Sequence, residues 1–218
     1  MSYPDYTRAE RVADAVVHVI GVLSALAGVA ALFWLFAPRM GWSTFLATSV
    51  YAAALLLMLC ASAAYHMGAH TTARPILRRI DHAAIYLKIA GTFTPLSVFL
   101  GTAFGYVVLG LVWLLALTGA AAKLMAQRGK MTTGWWPQVA LGWIGISLIV
   151  PLWGLLPVQS LWFILTGGVI YSAAVVFYCW ESLRYANAIW HAFILIATGC
   201  LFLGISTALA AALHVPLP

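Results

Sequence analysis

The sequence predicts an all-α fold: a polytopic membrane protein in which one chain of 218 residues forms a seven-transmembrane-helix bundle. Three observations point there. The chain is 64% hydrophobic and 7% charged, with a mean hydropathy of +1.00, and no soluble domain of this size carries so little charge. Its apolar residues lie in long continuous runs rather than in the ten-residue alternation of barrel strands. Each run is also close to the roughly 20 residues that cross a hydrocarbon layer of roughly 30 Å.

The first span is read at residues 12–36, ended by Ala37-Pro38-Arg39. It is a retained helix rather than a signal peptide, because Glu10 and Asp14 interrupt its approach and it is too long for an h-region. The second covers residues 43–66 and the third 81–100, with Pro95 expected to kink its far half. The fourth covers residues 104–124. The fifth covers 138–155, after the interfacial pair Trp135-Trp136. The sixth covers 160–180 and the seventh 187–214. Together they fill the chain as a single membrane domain, with no soluble domain and no internal repeat.

Loop charges set the expected orientation. Arg8, Arg11, Arg74, Arg78, Arg79, Lys123, Arg128, Lys130 and Arg184 fall on one side of the alternating spans, and only Arg39 on the other. By the positive-inside rule the N-terminus is cytoplasmic and the C-terminus outside, in the cell membrane. The net charge of +6 therefore serves topology and does not indicate nucleic acid as a partner. Membrane lipids are the expected partners, and composition does not speak to oligomeric state. Cys60, Cys179 and Cys200 read as small buried hydrophobes, not as a disulfide framework or thiolate metal site.

Polar residues inside the spans are the informative ones, since a charge at membrane depth costs roughly 2.5–3.5 kcal/mol on insertion scales. Alternating topology puts His66, Asp81 and His191 at similar shallow depth in one leaflet. Ser62 lies one turn deeper than His66 on the same face. Glu10, Asp14 and His18 recur every four residues and make one stripe at the start of the first span. Each has a plain structural alternative. Asp81 suits a helix N-cap, Ser62 suits helix packing, and Glu10 and Asp14 suit a solvated first turn. His66 and His191 suit the interface, as do His82, His70 and, on the other side, His214. Lys88, two turns beyond Asp81, reads as half of a structural ion pair. The convergence of His66, Asp81 and His191 on one leaflet favours a shared site. Imidazole suits zinc, which in catalytic sites keeps three protein ligands and a water. His66 and His191 supply two nitrogens, with Asp81 as ligand or base.

At these residues the chain resembles the hemolysin III family, bacterial relatives of the progestin and adipoQ receptors. The resemblance is carried by Glu10-x3-Asp14-x3-His18, by Ser62-x3-His66 and by Asp81-His-Ala-Ala-Ile-Tyr-Leu-Lys-Ile-Ala-Gly-Thr-Phe-Thr-Pro95. Asn187-Ala-Ile-Trp-His191 opening the last span adds to it. It covers essentially the whole chain. It implies a zinc site near the cytoplasmic face, with one histidine from the second span and two from the seventh. The wider superfamily includes alkaline ceramidases, so the implied chemistry is hydrolysis of a lipid amide. His66 and His191 would hold zinc, Asp81 would orient or deprotonate water, and Ser62 would donate to the oxyanion or water. The chain departs from that pattern where the family commonly has histidine: Asn187 and Leu201 stand there. Asp81, or His18 or Asp14 from the first span, is then the expected substitute ligand. Two functions of other classes stand beside the hydrolase: a non-catalytic sensor of a lipid-like ligand, or membrane-homeostasis factor, and a pore-forming hemolysin.

Overall fold

The computed structural model describes residues 6–68, 70–126, 134–180 and 182–214. The helices are α1 (Arg8–Phe36), α2 (Trp42–Met67), α3 (Arg74–Leu100), α4 (Ala103–Met125), α5 (Trp136–Trp143), α6 (Ile146–Leu152), α7 (Val158–Cys179) and α8 (Ala186–Ala212). A 3-10 turn at Ala37–Arg39 closes α1. The six long helices are each long and apolar enough to cross a membrane, so the chain is a multi-pass membrane protein. Arg128 and Lys130, counted in the charge asymmetry, lie outside the described residues.

The fifth apolar run is shorter and broken. α5 and α6 are separated at Ile144 and Gly145, where successive N–H groups reach back three residues, as from Gly145 to Gly142 (3.1 Å) and from Leu148 to Gly145 (3.0 Å). Gly142 and Gly145 weaken the helix there, and Pro151 lies inside α6. Even in line, Trp136–Leu152 would extend only about 25 Å at the helical rise.

Two helices start earlier than their apolar runs suggest. α1 begins at Arg8 because Thr7 and Glu10 form a capping box. The Glu10 backbone N–H donates to Thr7 Oγ1 (3.3 Å), and the Thr7 N–H donates to Glu10 Oε2 (2.9 Å). α3 begins at Arg74, with Pro75 in the first turn, where a missing N–H goes unnoticed. The basic stretch before Asp81 is therefore helical and not a loop. Asp81 is two turns inside α3 and buried, which removes its reading as an N-cap.

At the two extremes burial and hydropathy run in opposite directions, as they do when lipid is the outer solvent. α3 is the least apolar of the six long helices and the most buried; α1 is the most apolar and the least buried. α2 and α4 pack along α3, and α7 packs along α8, while α1 leans more sparsely on α2 and α8. Small residues permit the close approaches, which in lipid are held by packing and not by exclusion of water. A Cβ on Gly91 would sit 2.6 Å from Ala54 Cβ, so α3 meets α2 there only with glycine. The Ser160 hydroxyl donates to the Gly204 carbonyl at 2.6 Å, joining α7 to α8.

Two side-chain expectations need correction. The cysteines are not buried: Cys60 and Cys179 are exposed and Cys200 is intermediate. Lipid accepts an apolar thiol as readily as the bundle interior does, so hydropathy could not place them. Among the described residues Lys88 has no ion-pair partner, since no carboxylate lies within ion-pairing distance of it. It is buried, with Nζ donating to the Tyr171 hydroxyl at 2.7 Å and lying 4.1 Å from that ring's centroid. Tyr171 in turn hydrogen-bonds Thr198, so one polar chain ties α3, α7 and α8.

Candidate metal centre

α1 and α8 begin, and α2 ends, at the same end of the bundle, and side chains four residues apart on each line up toward a common point. On α1 these are Glu10, Asp14 and His18; on α2, Ser62 and His66; on α8, Asn187 and His191. Glu10 fixes the two outer helices to one another. Its Oε1 accepts the Tyr185 backbone N–H at 3.1 Å, just where Tyr185 takes a left-handed conformation (φ 62°) to open α8. That conformation costs a non-glycine residue roughly 1–2 kcal/mol, and the bond to Glu10 gives its N–H a partner. The four-residue spacing of Glu10, Asp14 and His18 marks Glu10 as part of this stripe in the sequence, whereas Tyr185 goes unmarked, since no local signal distinguishes a left-handed tyrosine.

One turn further in, Asp14 is the hub. The side chains of Asp14, His18, His66 and His191 are each less than a tenth exposed. Asp14 Oδ1 accepts from His191 Nδ1 at 2.7 Å, and Oδ2 lies 3.4 Å from His66 Nδ1. The backbone carbonyl of Asp14 accepts from His18 Nδ1 at 2.8 Å. The rings stand close, with centroids 4.3 Å apart for His18 and His191 and 4.4 Å for His66 and His191.

These bonds set two tautomers. A carboxylate and a carbonyl only accept, so His191 and His18 both carry a proton on Nδ1. In the neutral rings each Nε2 is then a lone pair. His18 Nε2 receives the Ser62 hydroxyl at 3.2 Å. His191 Nε2 is buried and has no partner among the described residues. A buried, unpartnered polar atom is an uncommon feature and asks for a ligand.

His18, His66 and His191 each offer a ligand atom, all within 4.8 Å of one another. The group fits a divalent metal: three imidazoles, two of them oriented through Nδ1 by Asp14 in the arrangement that aims and strengthens histidine ligands. The third imidazole thus comes from α1 and not from a second histidine of α8. Asn187 at that position does not itself join the group. Its Nδ2 is 3.2 Å from His66 Nδ1 and can donate to that nitrogen only in the tautomer that leaves it unprotonated, the alternative to the N–H that faces Asp14. Leu201 is buried against α7 beside Gly167.

Asp81 is buried next to this group, with Ser62, His66 and Arg78 as its electrostatic neighbours. His82 is half-buried on α3, His70 is exposed and bonds the Arg11 guanidinium at 2.8 Å, and His214 lies just past the far end of α8. None of the three joins the cluster.

Two clefts reach the site. One, of about 10 Å³, is lined by Glu10, Arg11, Asp14, Tyr185 and Asn187 at the polar end of the bundle. The other, of about 20 Å³ and so with room for a water, is lined by His18, Ser62 and His191 and otherwise by apolar residues of α1, α2 and α8.

Comparison with known proteins agrees with this architecture. The family described as haemolysin-III related matches residues 6–202. A hemolysin-3 homolog from Bacillus subtilis (strain 168) is 32% identical over 201 residues, covering 90% of this chain and 93% of the relative. Hemolysin-3 of Bacillus cereus is 32% identical over 195 residues, covering 88% of this chain and 89% of the relative.

Proposed function

The chain belongs to the haemolysin-III-related family, and from that premise we propose that it is a zinc-dependent hydrolase of the cell membrane acting on a lipid amide. The observation that carries the reading is the His191 Nε2 lone pair, buried without a partner beside two further imidazoles and oriented by Asp14. We orient this end of the bundle toward the cytoplasm, because Arg8, Arg11, Arg74, Arg78, Arg79, Lys123 and Arg184 belong to it and only Arg39 to the other.

His18, His66 and His191 would hold the ion, which supplies Lewis-acid polarisation of an acyl carbonyl and of water. The chain's own groups do the rest. Asp14 keeps His191 protonated on Nδ1 and so keeps Nε2 turned to the ion. Asp81, buried beside Ser62 and His66, takes the proton from the attacking water as its oxygen bonds the acyl carbon. It returns that proton to the amide nitrogen as the C–N bond breaks, leaving a fatty acid and an amine. Ser62 donates its hydroxyl to the oxygen that gains charge, having exchanged His18 Nε2 for it. A preorganised donor of this kind is worth about 10²–10³ in rate.

The test is Asp81→Asn in detergent-purified protein, with ceramide as the substrate. Turnover is expected to fall by about 10²–10⁴, the range for a positioned acid–base group, with metal content and unfolding temperature retained. Wild-type protein that binds metal and releases no fatty acid from ceramide would contradict the hydrolase and favour a sensor. Lysis, which the relatives' printed names suggest, is tested with the same preparation by dye release from lipid vesicles.

A further inference from the structure

The long helices pack as two groups, and the histidine site lies between them. α2 and α4 pack closely along α3, and α7 packs closely along α8, but α3 and α8 touch each other only sparsely. The first group carries Ser62, His66 and Asp81; the second carries Asn187 and His191. α1, which brings Asp14 and His18, leans lightly on both groups. Helix packing therefore holds each half of the site firmly and the two halves only loosely against one another.

A polar bridge crosses the same gap two turns deeper. Lys88 follows Asp81 by seven residues and Thr198 follows His191 by seven. Each therefore lies on the face of its helix that carries the site residue, roughly 10 Å further in. Between them stands Tyr171 of α7, a helix that gives no residue to the site. Lys88 Nζ donates to the Tyr171 hydroxyl at 2.7 Å, and that hydroxyl also hydrogen-bonds Thr198. Lys88 and Thr198 are both buried. An ammonium only donates, so parting α3 from α7 would leave it bare among apolar side chains. A methionine of similar length would fill the same space without the cost of burying a charge. Stability does not call for a lysine here, whereas fixing one helix group against the other does.

We propose that Lys88 and Tyr171 are positioning residues for the histidine site. Their bond sets the register of α7 and α8 against α3, and through it the placement of His191 relative to His66 and Asp81. The proposal rests on the zinc reading for its consequence and on the bridge alone for its geometry.

The experiment takes two readouts on the full-length protein in detergent. The first is zinc affinity, by competition with a chelator, in the wild type, Lys88→Met and Tyr171→Phe. Lys88 lies two turns from the histidines, yet Lys88→Met is expected to weaken zinc binding about tenfold, within the range for changes that couple sites without touching a ligand. Its unfolding temperature is expected to stay the same or rise, which separates positioning from stability. Tyr171→Phe is expected to weaken zinc binding similarly where it folds. The second readout is the distance between spin labels on Ile76→Cys of α3 and Ile196→Cys of α8, two exposed positions, with Cys60, Cys179 and Cys200 replaced by alanine. Measured by pulsed electron paramagnetic resonance without metal, its centre is expected to move by about 1–2 Å in Lys88→Met, the size of a helix shift. An unmoved distance in the folded Lys88→Met would overturn the proposal, whatever the affinity does. A moved distance with unchanged zinc affinity would overturn its link to the site. Because the distance needs neither zinc nor turnover, a wild type that binds no zinc would refute the metal reading while the distance still decides the bridge.

Discussion

Asp14→Ala is expected to weaken zinc binding about 10–100-fold, the usual consequence of removing the group that orients histidine ligands. The reason is geometric. One carboxylate lies 2.7 Å from His191 Nδ1 and 3.4 Å from His66 Nδ1, so its loss frees two rings at once and leaves the His191 N–H buried without an acceptor. That orphaned donor costs about 1–3 kcal/mol of stability as well. Asp14→Asn should fall between, since an amide oxygen can still accept from His191 but carries no charge to bias both rings. Zinc titration with a competing chelator, run beside thermal unfolding in detergent, separates the two effects. Unchanged affinity in Asp14→Ala would mean that the imidazoles are positioned by packing alone.

The second large effect lies away from the metal centre. Tyr171→Phe should destabilise the protein by about 1–3 kcal/mol or more, because it removes the acceptor at 2.7 Å from the buried Lys88 ammonium. Lys88→Met should be neutral or stabilising, by up to about 4 kcal/mol, since a methionine of similar length removes the need to satisfy a charge in the bundle. The opposite signs are the diagnostic. Thermal unfolding of the single variants and of the double variant gives the coupling directly, and the double variant is expected to resemble Lys88→Met. Equal losses for both single variants would indicate that Lys88 contributes through packing of its stem and not through its charge.

What could be read from the sequence follows from the physics of each feature. Six long spans were legible because a helix in lipid must be apolar over its whole crossing, and that requirement is written in composition. The break between α5 and α6 was not, because hydropathy ignores where glycines and a proline interrupt the hydrogen-bond ladder. The convergence of His66, His191 and Ser62 followed from alternating topology and four-residue spacing. The spacing of Glu10, Asp14 and His18 also announced a common stripe.

Rotation of the helices about their axes was not legible. It alone decides that the Asp14 carboxylate bonds His191 and faces His66, while Asp81 lies beside Ser62 and His66, and that α1 supplies the third histidine. α1 packs lightly, so its inward face is marked by polar residues, which could equally have met water at a helix start. For the same reason the cysteines could be assigned to apolar segments but not to a face. Lys88 looked like half of an ion pair because charge suggests a countercharge; instead a phenol hydroxyl and ring across the bundle receive it.

Metal content is the most direct measurement of the central claim: elemental analysis of the full-length protein purified in detergent, beside the His66→Ala/His191→Ala double variant. The account predicts about one zinc per chain in the wild type, as a three-histidine site would hold, and loss of that zinc in the variant while the helical content stays the same. No metal in the wild type, even after zinc is supplied and excess removed, would contradict it. Asp14 and the three imidazoles would then be a closed polar core, and the hydrolase reading would fall with the metal.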